Sequence, residues 1–340
     1  MNRKEILHWL REEDPSVLED LWQRADGVRR EHVGDEVHLR GLIEFSNYCA
    51  RLCGYCGLRA ANQKLERYRM TKEEILACAR QAVTFGYGTV VLQSGEDMGT
   101  KREWMAEIIR TIKKETPLAV TLSLGERDDD DLVAWREAGA DRYLLRFETS
   151  NPKLYEKIHP SLPGKLSDRL AILRKLKSLG YEAGSGVMIG IPGETYEDLV
   201  NDLELFHELD LDMIGVGPFI PHPGTPLGSE EPGEGQVPNS EFMTYKVIAL
   251  TRIVCPEANI PSTTALATLN LARGRELGLS RGANIVMPNL TPVQYRAQYE
   301  IYPAKACIRE TAAECHGCLT RRIESIGRKT GRGQGGRRRA

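Results

Sequence analysis

The chain of 340 residues predicts an α/β fold of the (β/α)8 TIM type, with an N-terminal helical cap and a C-terminal extension. Three observations lead there. After Thr71, apolar stretches of strand length alternate with stretches of helical periodicity over short connections, the pattern of βαβ units on a parallel sheet. A triad of thiols, Cys49, Cys53 and Cys56, follows directly on the first candidate strand, and parallel barrels keep their chemistry at C-terminal strand ends. The length accommodates a barrel of about 250 residues plus extensions.

Residues 2–31 read as helical because Ile6, Leu7, Trp9 and Leu10, then Val17, Leu18, Leu21 and Trp22, recur at helical spacing, with Pro15 breaking the run. They make a cap over residues 1–35. The first strand, 37–45, alternates and then turns apolar. A helix over 71–82 follows, N-capped by Thr71 with Glu74 completing a capping box. Further strands are expected at 89–93, 119–124, 142–147, 183–189, 213–216, 259–262 and 284–287. Helices are expected at 102–114, 129–138, 166–179, 195–208, 240–254 and 268–277. The barrel thus spans 36–290; without strand seven, the weakest in pattern, it would be open by a quarter. Residues 291–325 form the extension, and the Gly/Arg-rich tail 326–340 is expected to be disordered.

Hydrophobic content of 41% with 28% charged residues and a formal charge of −2 describes a globular protein with no bias toward nucleic acid or anionic membrane. No apolar run reaches the length of a membrane span, and the polar N-terminus does not read as a signal peptide, so a cytoplasmic location is expected. The eight cysteines fall into two triads and two isolated residues. Such clustering in a cytosolic chain argues for metal over disulfides. Cys78 and Cys255 read as buried or half-buried thiols.

Cys49, Cys53 and Cys56 stand in a C-x3-C-x2-C array with Tyr55 before the last thiol. Soft sulfur ligands suit a [4Fe–4S] cube, and three ligands for four irons leave one iron open to a small molecule. The alternatives are a zinc loop, although zinc normally takes four protein ligands, and chance clustering. The array resembles that of the radical-SAM superfamily, which implies that the amino and carboxylate groups of S-adenosylmethionine chelate the open iron.

The loops after later strands fit that resemblance. Gln93, Ser94 and Glu96 surround Gly95 at the end of strand two, near where a cofactor amino group would lie, and resemble the superfamily's strand-two Gly-Glu element. Alternation turns Thr121 and Ser123 to one face of strand three. Arg146 and Glu148 share a face of strand four; Glu148 suits a ribose and Arg146 a carboxylate, unless the two only neutralise each other. Arg169 is a second candidate for the cofactor carboxylate, or else a solvated helix arginine. On strand five Met188 and Ile191 offer apolar contact to adenine within Gly184–Glu194, which resembles the superfamily's G-x-I-x-G-x-x-E element. His222, in a Pro/Gly-rich loop after strand six, either faces the cavity or packs in its loop.

Cys307, Cys315 and Cys318 form a second array, C-x7-C-x2-C, suiting a second cluster, [4Fe–4S] or [2Fe–2S], or a zinc ion, with His316 as a candidate fourth ligand. With this triad, and with Arg67–Thr71, Leu92–Asp97, Val120–Glu126, Ala140–Arg146, Gly217–Pro223 and Thr263–Ala265, the resemblance narrows to the HydE family of radical-SAM [FeFe]-hydrogenase maturases. Phe147 departs from the Arg-His-Glu often seen on strand four of that family. The resemblance implies reductive cleavage of S-adenosylmethionine to a 5′-deoxyadenosyl radical, a HydG-type product as substrate, a HydF-type scaffold as recipient, and ferredoxin or flavodoxin as electron donor. It places substrate near Thr263, Thr264, Met287, Tyr299 and Tyr302, with Arg146 for any carboxylate; core packing is the other reading of the tyrosines. A methylornithine-synthase-like or biotin-synthase-like enzyme, or a carrier of clusters without radical chemistry, remains as an alternative.

Overall fold

The computed structural model describes residues 1–164 and 166–337. The cap is two helices. Arg3–Arg11 starts at an Asn2 capping box, and Pro15–Val33 starts at Asp14 with Pro15 in the first turn, where its missing N–H costs nothing. Ile6, Leu10, Leu18, Leu21 and Trp22 face inward, and Trp22 meets Phe242 of helix Glu241–Val254 edge-on at 6.4 Å.

Seven parallel strands form the wall: β1 (Glu36–Ser46), β2 (Thr89–Ser94), β3 (Ala119–Ser123), β4 (Arg142–Leu144), β5 (Glu182–Ile189), β6 (Met213–Pro218) and β7 (Ile285–Val286). They lie in the order β6-β5-β4-β3-β2-β1-β7. The expected seventh strand is reduced to two bridges, Met213 to Asn259 and Pro261 to Ile285, and these carry the wall from β6 to β7. Pro261 has no N–H to lend a ladder, which keeps this pass short. The helices surround the strands, and one apolar core fills the space between the two layers.

Several boundaries differ from expectation for local reasons. β4 stops at Leu144 because the Ser185 hydroxyl intrudes, donating to Leu145 O at 2.8 Å and accepting from Phe147 N at 3.2 Å. The chain then rejoins β5 through Glu148, at φ 66°, bridged to Val187. The helix expected from 166 starts at Arg169, where Asp168 caps it. That expected at 268–277 is two, Thr264–Leu269 and Gly274–Ser280. Helices Pro152–Ile158 and Ala312–Ser325 were not foreseen; the second opens on a Thr311–Glu314 capping box.

The tail is the main correction over residues 326–337; the last three positions of the expected disordered stretch, 338–340, lie outside the described residues. Residues 326–337 are folded against the N-terminal end of the barrel, and β8 (Lys329–Thr330) pairs with Glu36 and Val37 of β1. Gln334 O accepts from Thr89 Oγ1 at 2.8 Å and from Arg142 Nη2 at 3.2 Å, while Gly335 O accepts from Arg40 Nη2 at 2.9 Å. Glycine makes this approach feasible: Gly335, at φ 56°, lies against the His38 ring. A composition that reads as solvated therefore serves to bring bare backbone against buried guanidinium groups.

Candidate cofactor site at the barrel mouth

β1 ends at Ser46, and the cysteine loop leaves it across the C-terminal mouth of the barrel. Backbone bonds fix the loop to its neighbours: Ala50 N donates to Glu96 O at 2.9 Å, Gly54 N to Ile158 O at 2.7 Å, and Gly57 N to Ile301 O at 2.9 Å. Gly95 lies so close beneath Tyr48 and Cys49 that a Cβ there would collide with both. Cys49, Cys53 and Cys56 all line one cavity of about 350 Å³ inside the barrel. Burial pushes the Cys49 and Cys56 thiols up, and the Cys53 thiol up to about 12, so a metal must displace protons to bind them.

Of the residues expected to hold cofactor or substrate, Gln93, Ser94, Glu96, Ser123, Arg146, Glu148, Arg169 and Met188, with Thr263, Thr264, Met287, Tyr299 and Tyr302, line this cavity, while Ile191 lies behind its wall. Arg146 Nε donates to Glu148 Oε2 at 3.1 Å, and Tyr55 Oη to Glu148 Oε1 at 3.3 Å. The strand-four pair thus neutralises itself while still facing the cavity. Ser94 turns its hydroxyl to Gly95 O at 2.6 Å, and Thr263 Oγ1 accepts from Leu266 N at 3.3 Å as a helix cap, so both hydroxyls are already engaged. Met188 and Ile191 join Leu154, Ile158, Phe219 and Leu227 in an apolar shelf against Tyr55. Arg169 is buried, not solvated. His222 packs within its loop, with Nδ1 accepting from Gly224 N at 3.0 Å.

Four charged groups went unnoticed in sequence. Arg51 lies inside the cysteine array, 1% exposed, with Nε 2.7 Å from Glu96 Oε1 and Nη2 2.6 Å from Glu126 Oε2. Glu126, the second of two Gly-Glu pairs at strand ends, also accepts from Arg169 Nε at 3.0 Å. Deeper in the cavity Lys305 is ion-paired to Glu44, whose other oxygen accepts from Asn289 Nδ2 at 2.9 Å. His159, against Arg169, is held neutral: burial, then the Arg169 and Arg51 charges, pull its pKa down to about 2.

The donor set fits an iron–sulfur cube with a small polar cofactor. Three cysteines supply one ligand fewer than the four protein ligands that a structural zinc loop normally takes. A cube's three cysteines bind three different irons and need only border one space. Thr121 Oγ1, buried in the cavity wall, has no protein partner.

The second triad lies outside this cavity. Cys307 sits in a loop at φ 63°, Cys315 is buried in helix Ala312–Ser325, and Cys318 is exposed on the same helix. The hydrogen bond with Cys315 holds the Cys307 thiol down to about 6, helped by Arg275, and raises that of Cys315. His316 stacks on Phe85 at 4.8 Å and bonds Tyr87 Oη through Nδ1 at 3.1 Å, which commits its ring to packing.

A parallel barrel with three cysteines over a charged, ligand-sized mouth is the architecture of enzymes that use S-adenosylmethionine for radical chemistry. Residues 43–206 match the Radical SAM superfamily. The [FeFe] hydrogenase maturase subunit HydE of Thermotoga maritima is 51% identical over 326 residues, covering 96% of this chain and 91% of that protein. The 3-methylornithine synthase of Methanosarcina acetivorans is 31% identical over 295 residues, 85% of this chain and 80% of that one. Among solved structures, methylornithine synthase (PylB) superposes with a TM-score of 0.83 at 28% identity, covering 97% and 94% of the two chains. A structure of HydG, a maturase of the [FeFe]-hydrogenase, shares the fold, with a TM-score of 0.77 at 20% identity over 96% of this chain and 71% of that one. The chain belongs to the radical SAM superfamily and, within it, to the HydE family of [FeFe]-hydrogenase maturases.

Proposed function

We propose that this chain cleaves S-adenosylmethionine reductively and acts in assembly of the diiron subcluster of [FeFe]-hydrogenase. The observation that carries this is the opening of Cys49, Cys53 and Cys56 onto the same cavity as Arg146, Glu148 and Arg169. The cluster, when bound, supplies the electron that breaks the sulfonium carbon–sulfur bond. This chain's residues bind, orient and exclude. Glu148, freed of part of its charge by Arg146, accepts from ribose hydroxyls. Arg169 offers its remaining N–H groups to the cofactor carboxylate, with Gln93, Ser94, Glu96 and Ser123 around the amino end. Met188 and Ile191 carry the adenine on the apolar shelf and keep water off it. Thr263, Thr264, Met287, Tyr299, Tyr302 and Arg146 define the deeper substrate space, walled by the Lys305–Glu44 pair.

A HydG-type product then enters as substrate, a HydF-type scaffold receives the product, and ferredoxin or flavodoxin supplies the electron in the cytoplasm. No helix among the described residues is long and apolar enough to cross a membrane. Cys307, Cys315 and Cys318 hold a second cluster, and this triad favours the maturase over a methylornithine-synthase reading. Anaerobic reconstitution with iron and sulfide, then EPR of the reduced protein with and without S-adenosylmethionine, tests the whole. A [4Fe–4S] signal that shifts with the cofactor and is lost in Cys53→Ala is expected; an unshifted signal, or cleavage retained in Cys53→Ala, refutes the reading.

A further inference from the structure

Glu126 is 1% exposed and stands behind the cavity wall, whereas its partners Arg51, Glu96 and Arg169 line it. Its two carboxylate oxygens are divided between two elements. Oε2 lies 2.6 Å from Nη2 of Arg51, which belongs to the cysteine loop; Oε1 accepts from Arg169 Nε at 3.0 Å and from Ser167 Oγ at 2.5 Å. Its own backbone N–H donates to Glu96 Oε2 at 2.9 Å, and Glu96 Oε1 lies 2.7 Å from Arg51 Nε, closing a ring. Two guanidinium groups and two carboxylates thus balance in a space with almost no solvent.

The remaining contacts of Arg169 show what this ring holds in place. Nη1 donates to Arg146 O at 2.5 Å and Nη2 to His159 Nε2 at 2.5 Å. A guanidinium has five N–H groups, so with Nε on Glu126 three are used and two remain, one on each terminal nitrogen. One free N–H on each terminal nitrogen gives Arg169 a two-donor fork to offer a carboxylate. The orientation of that fork is set by Glu126, and the other end of Glu126 is set by a residue between two cluster cysteines.

We propose that Glu126 is a positioning residue that couples the cysteine loop to the cofactor-binding arginine, so that the ordered loop and the fork of Arg169 stabilise each other. This rests on the reading of Arg169 as a ligand of the S-adenosylmethionine carboxylate. Coupling of this kind is reciprocal: cofactor binding steadies the loop as much as the loop steadies the cofactor. Gln in place of Glu126 would remove the charge and set an amide N–H₂ against one of two guanidinium donors.

The test is titration of S-adenosylmethionine onto anaerobically reconstituted protein by calorimetry, with iron content and the EPR shift read in parallel. Glu126→Gln is expected to weaken cofactor binding about tenfold or more, the value of a charge-assisted hydrogen bond, with iron content unchanged. Arg51→Lys should weaken binding in the wild-type background and add little in Glu126→Gln, the mark of a shared interaction. Ser167→Ala removes one hydroxyl donor to the same oxygen and should weaken binding by about threefold, a probe that stands even where Glu126→Gln does not fold. Affinity unchanged in Glu126→Gln, or additive losses in the double variant, overturns the coupling; where Glu126→Gln does not fold, unchanged affinity in Ser167→Ala does so. Unmodified protein that assembles no cluster or binds no cofactor instead overturns the reading of the site on which the coupling rests.

Discussion

Deleting residues 331–340 takes away the floor of the barrel, and the magnitudes say that the fold survives it. Lost are the bonds from Arg40 and Asn259 to Gly335 O, from Arg142 and Thr89 to Gln334 O, from Gln334 Nε2 to Pro117 O and from Gly331 N to Val37 O, together with the ion pairs of Arg337 to Asp210, Asp212 and Glu257. The two guanidinium bonds contribute about 2 kcal/mol each and the four neutral ones about 1 each. The partly exposed Arg337 pairs add about 1 more. Ordering residues 331–337 costs about 1 kcal/mol per residue, roughly 7 in all. Gain and cost nearly cancel, so the truncated chain should melt within about 5 °C of the full one. What changes is access. Arg40 and Asn259 both border the central cavity and would meet water from below once Gly335 is gone. Hydrogen–deuterium exchange read by mass spectrometry should show faster exchange in peptides spanning 36–43 and 89–92, with the helices outside the wall unchanged. Unchanged exchange in those peptides would refute the floor, and a fall in melting temperature beyond about 15 °C would refute the balance of terms.

Replacing Lys305 by Met strands the Glu44 carboxylate, which is 0% exposed, and should destabilise the protein by about 3–5 kcal/mol in urea titration. Adding Glu44→Gln to it should restore most of that loss, and failure to restore it would mean that Lys305 contributes by packing alone. Burial raises the Asp202 carboxyl to about 7 against an ordinary 3.8, so the folded chain holds this proton more tightly than the unfolded one. Its contribution is full below about pH 4 and is lost as pH rises toward 7, on the order of 4 kcal/mol at 1.36 per unit. Asp202→Asn keeps the bond from Ser150 N and should gain more stability over wild type at pH 8 than at pH 5, where less than half of that difference has developed; an equal effect at both would count against it. Cys315→Ala should remove a second iron signal from the EPR spectrum while the first keeps its response to S-adenosylmethionine, and unchanged iron content would rule out a cluster at the C-terminal triad.

The difference between what could and could not be read in the amino-acid order follows the range of the forces involved. Alternation along β2, β3 and β5 places side chains on one face with period two, so residues such as Gln93, Ser123 and Met188 could be assigned to the interior from their neighbours alone. Spacing did the same for Cys49, Cys53 and Cys56, three ligands on one loop. The Lys305–Glu44 pair joins residues far apart in sequence, and nothing local to either announces it. Arg51 and Glu126 stood in view, inside the cysteine array and after Gly125, but a lone charge reads as solvated until its partner is known. The tail misled for the same reason. Gly and Arg in alternation describe a chain that buries no apolar side chain of its own, which is the composition of disorder. Here the burial belongs to backbone: the barrel end supplies Arg40 and Arg142 as donors, and the glycines on either side of Gln334 let the segment come close enough to meet them with its carbonyls. The same logic bears on the site. Its cysteines and apolar shelf are local and legible, whereas the charges that orient its ligands are compensated across the barrel, between elements that meet only once the chain is folded.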